Sequence, residues 1–120
     1  MPIYWMIGYN IREGRVAQYQ KFLGSREFKK MCEKIFEQTG VKFVQCYFSI
    51  IPSSSEQGDF DAYDMWEVPN HAALDKVRKT NAFGEMIEKT YLMTEPRPLK
   101  WVTLRTARDV KIMYEPKPKK

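Results

Sequence analysis

The spacing of apolar residues changes along this chain in the order strand, helix, strand, strand, helix, strand, and no other feature constrains its fold as strongly. Ile3 to Asn10 is aromatic and aliphatic with no helical stripe, and Asn10 to Gly14 then brings charge and a glycine, as a strand running into a turn does. From Arg15 to Gln38 the apolar residues Val16, Tyr19, Leu23, Phe28, Met31, Cys32, Ile35 and Phe36 recur mostly at three and four, and Gly40 closes the segment. The five-residue step from Leu23 to Phe28 contains Gly24-Ser25. Ser25 is a cap for a second helical piece, so a kink or break is expected there. Val41 to Ile51 is β-branched and aromatic, ends at Pro52, and gives way to residues 53–58, a stretch without apolar residues that reads as a mobile loop. Asp61 to Val68 reads as a strand stopped by Pro69, with Asn70 placed to cap a helix from His71. Asn81 is expected to cap a further piece that runs through Phe83, Met86, Ile87 and Tyr91 and is ended by Glu95-Pro-Arg-Pro98. Leu99 to Thr106 is the last full strand, and residues 110–114 form a short fifth strand or a packing arm.

This order is the split βαβ pattern of a ferredoxin-like α+β sandwich, a four-stranded antiparallel sheet with both helices on one face. At 120 residues the chain supports one such domain, assigned to residues 1–108, with residues 109–120 as a C-terminal arm and basic tail. Helices cover only one sheet face, so the other must be wet or covered by something else. Alternation gives two sets of side chains, an assignment that a single bulge would reverse. Tyr4, Met6, Gly8, Val44, Cys46, Phe48, Ala62, Asp64, Trp66, Val68, Val102 and Leu104 form the more purely apolar set and are expected against the helices, despite Asp64. Trp5, Ile7, Tyr9, Phe43, Gln45, Tyr47, Tyr63, Met65, Glu67, Trp101, Thr103 and Arg105 form the other. That second set is too apolar for a monomer surface, and its expected use is a cavity closed by a second copy in a homodimer.

Charge narrows the partners. Residues 97–120 carry a local +6, which leaves residues 1–96 at −1 within the total of +5, so the basic excess belongs to the tail. Cys32 and Cys46 lie in apolar periodic segments without metal-ligand spacing and read as reduced, buried thiols. No segment has the length and apolarity of a membrane span and no basic-then-apolar leader opens the sequence, so a soluble, cytoplasmic protein is expected. RNA-recognition domains share this element order, but their third strand needs a basic-Gly-aromatic-Gly run. Here the strand is acidic, Asp61-Ala-Tyr-Asp-Met-Trp-Glu67, which repels phosphate and argues against a specific nucleic-acid partner.

Over residues 3–106 the chain resembles the dimeric α/β-barrel superfamily, which contains antibiotic-biosynthesis monooxygenase-like and NIPSNAP-like proteins. The resemblance rests on the element order, on Tyr4-Trp-Met-Ile-Gly-Tyr-Asn10, and on Tyr63-Asp-Met-Trp-Glu-Val-Pro-Asn-His-Ala-Ala-Leu74. It implies a homodimeric α/β barrel with a ligand site between sheet and helices or inside the barrel. It also implies functions from cofactor-independent oxygenation of aromatic compounds to non-catalytic ligand-binding or stress-associated dimers. The haem-degrading branch has an Asn on its first strand, a Trp on its third and a His on its second helix, so Asn10, Trp66 and His71 correspond by resemblance. His71 comes too early in its helix for that pattern, and haem remains the lesser expectation beside no cofactor.

His71 is the chain's only histidine, the residue type most used for proton transfer, so it is a candidate for that role; the alternative is an exposed first-turn residue. Glu67, Tyr63, Tyr47 and Arg105 are expected on one face, where a carboxylate, two phenols and a guanidinium could orient a phenolic or carboxylate ligand. The alternative is a rim ion pair between Glu67 and Arg105. Trp5, Tyr9, Trp66 and Trp101 are candidate walls for a flat ligand or simply core. His71, Glu67 and Tyr63 are thus the catalytic candidates. No metal site and no hydrolase triad or phosphate loop is expected.

Overall fold

The computed structural model of the chain describes residues 3–49 and 60–105. In chain order these form β1 (Ile3–Tyr9), α1 (Val16–Leu23), α2 (Arg26–Thr39), β2 (Lys42–Phe48), β3 (Ala62–Val68), α3 (His71–Lys79), α4 (Asn81–Thr90) and β4 (Lys100–Arg105). The strands make one antiparallel sheet in the order β2-β3-β1-β4, the ferredoxin-like arrangement expected from the element order. Among the described residues no helix is long and apolar enough to cross a membrane. The loop at residues 53–58, the short fifth strand and the arm-and-tail boundary at residue 109 all lie outside the described residues.

Each helical crossover comes in two pieces, for local reasons. The first breaks at Gly24-Ser25, where the Ser25 hydroxyl accepts from Phe28 N at 3.1 Å and restarts the helix as α2. Gly40 ends α2 with φ 79°, a left-handed conformation that glycine adopts without steric cost. The Asn70 side chain accepts from Ala73 N at 2.8 Å and starts α3 as expected. The start of α4 differs: its N-cap is Thr80, whose hydroxyl turns back to donate to Val77 O at 2.9 Å, and Asn81 is the first helical residue. α4 also stops at Thr90, earlier than Glu95-Pro-Arg-Pro98, because residues 91–93 form turns and Thr94 bridges to Ile11.

The face assignment needs correcting for half of the sheet. Directly opposed residues share a face, and the register pairs Trp5 with Trp66, Ile7 with Asp64 and Tyr9 with Ala62. Trp5, Ile7 and Tyr9 therefore point at the helices, together with Trp101 and Thr103 of β4, which pair with Ile7 and Trp5. β3 lies as expected, with Ala62, Asp64, Trp66 and Val68 inward and Tyr63, Met65 and Glu67 outward. In β2 a bulge at Val44 sets Phe43 and Cys46 on the same side, opposite Trp66 and Asp64. β1 misleads because both of its faces are apolar, so hydropathy cannot orient it.

The interior is aromatic. Trp5 and Trp66 are each 1% exposed and meet at 6.4 Å, and Phe83 of α4 packs on both. Ile35, Val41, Val68 and Val77 complete the seam between helices and sheet with essentially no exposure. The outer face carries Tyr4, Met6, Met65, Val102 and Leu104, and among the described residues no helix covers them.

Candidate functional site

Helices and sheet do not close completely between β1, β3 and α4. They leave a cavity of about 270 Å³ on the helix side of the sheet, inside a single protomer; this is one of the two places that the resemblance implied, and not the outer face that strand alternation suggested. The β1 alternation sends Ile7 and Tyr9 into it, β3 sends Asp64 and Trp66, α1 contributes Tyr19, and Arg78 and Trp101 stand at its exposed end.

One wall is polar. Tyr9 Oη donates to Asp64 Oδ1 at 2.8 Å. Its only proton being spent there, Tyr9 Oη accepts from the Tyr19 hydroxyl at 2.5 Å, while Cys46 Sγ lies 3.5 Å from the same oxygen. Burial pushes the Asp64 carboxyl up to about 6, against the opposing effect of hydrogen bonds from Tyr9 and Cys46, which favour its ionised form. Burial, then the Asp64 charge, holds the Tyr9 and Tyr19 phenols far above the usual tyrosine range, and the same two causes hold the Cys46 thiol well up. Asp64 is thus the member of this cluster that changes protonation near neutral pH, and the two tyrosines remain donors. A second polar feature lies beside it. Trp66, fully buried and lining the cavity, has an indole Nε1 with no hydrogen-bond partner among the described residues.

The residues singled out from the sequence separate. Tyr9, Trp66 and Trp101 line the cavity. Trp5 lies behind Trp101, edge to face at 5.3 Å, as a supporting wall. Tyr47, Tyr63 and Glu67 stand on the outer face, whereas Arg105 pairs with the buried Ile3 and so belongs to the helix side; the four do not share one face. The physical reason is the reversed orientation of β1 and β4. Tyr63 lies over Gly8, where an added Cβ would approach its ring to 3.0 Å, and its hydroxyl accepts from Phe60 N. Asn10 is a latch: its Oδ1 accepts from Asp61 N at 3.1 Å, and Asp61 Oδ2 accepts from Ile11 N at 2.9 Å. His71 is exposed at the start of α3 and does not line the cavity. The chain's one imidazole is therefore misplaced for a haem in this cavity, and the residues present do not fit a histidine-ligated haem. Among the described residues no three His, Cys, Asp or Glu side chains group as metal ligands.

Sequence reasoning passed over Asp64, Tyr19 and Arg78. Asp64 did carry a signal, as a lone carboxylate in the inward alternation of an apolar strand. Tyr19 looked like any member of a helical apolar stripe, and Arg78 like any exposed helical cation.

No protein-family model matches the chain, and no curated protein matches it by sequence. Solved structures do match in shape. A NIPSNAP family protein from Agrobacterium tumefaciens superposes with a TM-score of 0.64 at 15% identity, covering 91% of this chain and 96% of that one. A putative antibiotic biosynthesis monooxygenase from Bacteroides thetaiotaomicron gives 0.57 at 16% identity, covering 92% and 95%. A dimeric protein of unknown function and ferredoxin-like fold from Bacteroides fragilis gives 0.60 at 8% identity, covering 88% and 96%. These are the groups that the Tyr4–Asn10 and Tyr63–Leu74 segments resembled, and the chain has the ferredoxin-like α+β fold that such structures share.

Proposed function

We propose that this protein is a homodimer whose protomers each bind a small aromatic ligand in the sheet–helix cavity, with Asp64 as the proton acceptor for a ligand hydroxyl. The observation that carries this reading is the Asp64–Tyr9–Tyr19 chain set into an otherwise apolar cavity. A buried carboxylate that titrates near 6 is matched to proton transfer at neutral pH. The free Trp66 N–H offers a donor to an acceptor atom on the same ligand. Size sets the ligand class. An engineered cavity of about 150 Å³ holds one benzene, so about 270 Å³ suits two fused rings. The dimer is supported by the outer sheet face and by the dimeric structure from Bacteroides fragilis.

The likeness to a monooxygenase-like structure supports a finer reading, cofactor-independent oxidation of an electron-rich phenol. For 1-naphthol the balance is C10H8O + O2 → C10H6O2 + H2O: dioxygen gives one atom to the ring and one to water, and the naphthol is oxidised to the quinone. Asp64 takes the hydroxyl proton and Tyr9 keeps the carboxylate aligned. Titration calorimetry with 1-naphthol, followed by oxygen uptake on the same mixture, tests both levels. Binding that Asp64→Asn retains, with oxygen uptake that it abolishes, is the expected result. Binding without uptake in the natural protein leaves a non-catalytic ligand-binding dimer, and no binding overturns the cavity reading.

A further inference from the structure

Arg78 is an exposed helical cation, but its surroundings are not those of a solvated surface charge. Its guanidinium lies 5.0 Å from the centre of the Trp101 ring, and Trp101 is itself held edge to face by the buried Trp5. A guanidinium over an aromatic face spends none of its N–H donors on that contact, and its planar fork can take a carboxylate with two hydrogen bonds. Among the described residues Arg78 forms no salt bridge, although Glu95 lines the same cavity.

The sheet register fixes where Trp101, the ring beneath this cation, stands relative to Asp64. Asp64, Ile7 and Trp101 are directly opposed across β3, β1 and β4, so they form one row on the helix side. Two strand spacings separate the ends of that row, about 10 Å. We infer that the ligand of this cavity is an anionic two-ring aromatic, with a hydroxyl at the Asp64 end and a carboxylate at the other end, held by Arg78 over Trp101. This rests on the cavity reading above and adds the charge and the placement of the ligand's second substituent. Arg78 is a specificity-determining residue on this account, and Glu95 opposes the same carboxylate.

Titration calorimetry with two ligands tests it. 2-Naphthol carries only the hydroxyl, and 6-hydroxy-2-naphthoate carries hydroxyl and carboxylate at opposite ends of the same ring system. The natural protein is expected to bind the naphthoate at least tenfold tighter than the naphthol. Arg78→Gln is expected to reduce that preference to less than twofold, and Glu95→Gln to enlarge it. Naphthol binding without a preference for the naphthoate, or equal losses on both ligands in Arg78→Gln, overturns the inference and leaves the cavity reading standing. Binding of neither ligand overturns both.

Discussion

Asp64 ties the stability of this protein to pH in a direction opposite to that of most carboxylates. Its folded-state value near 6 lies above the ordinary 3.8, so between these two values the folded chain holds more protons than the unfolded one. Stability from this residue is therefore full at low pH, falls as pH rises from about 4 to 6, and stays reduced above that. The raised value corresponds to about 3 kcal/mol. Denaturant titrations of the natural protein and of Asp64→Asn across pH 3.5 to 8 should show the variant gaining relative stability through that window. A constant difference would mean that Asp64 is not held in an unfavourable, enclosed setting. Tyr9→Phe removes the donor to Asp64 and the acceptor for Tyr19. Its expected cost is about 1–3 kcal/mol, larger at pH 7, where Asp64 is ionised, than at pH 4. This cluster was half legible in the sequence. A single aspartate among Ala62, Trp66 and Val68 announces an unusual group, but nothing in linear spacing tells that a tyrosine in α1 will reach it through Tyr9.

At the scale of elements, local chemistry was readable and sidedness was not. Gly24-Ser25 and Asn70 act within four residues of themselves, so the helix break and the α3 cap follow from composition alone. The orientation of β1 depends on which of two apolar faces meets the helices, and that is decided by tertiary packing of Trp5 against Trp66 and Phe83. The bulge in β2 has the same character: Phe43 and Cys46 both face inward because Val44 is the extra residue. Deleting Val44 restores unbroken alternation through Phe43, Gln45 and Cys46, so this variant is expected to fold and to lose no more than about 1 kcal/mol. Deleting Tyr47 instead turns Phe48 outward, away from its stacking on Tyr19, because a one-residue slip reverses every later side chain. That variant is expected to lose about 3–5 kcal/mol, the range for removing a large aromatic from a core. Urea melts of the two deletions decide the matter, and equal losses would mean that the bulge does not set the register.

At the scale of the whole molecule the two sides of the sheet differ in what covers them. The cavity that Asp64 and Arg78 help to line is formed by residues of one protomer, so the binding proposed above needs no residue of a second copy. The outer face is different: Met6 lies directly between Met65 and Val102, and Tyr4 between Glu67 and Leu104, an apolar patch that no helix covers among the described residues. A second copy packed on this face would close two sheets into a barrel and leave both cavities on the outside of it. Met6→Glu sets a charge at the centre of the patch, where an unpaired buried carboxylate costs about 3–5 kcal/mol. Leu92→Glu is the control, because Leu92 is 68% exposed after α4, away from the sheet. Light scattering should give twice 14.3 kDa for the natural protein and for Leu92→Glu, and 14.3 kDa for Met6→Glu. The monomeric variant should also keep its naphthol affinity within about twofold, since no cavity residue crosses the sheet. Loss of binding together with loss of the dimer would instead tie the cavity to the interface, and a natural protein of 14.3 kDa would remove the barrel altogether.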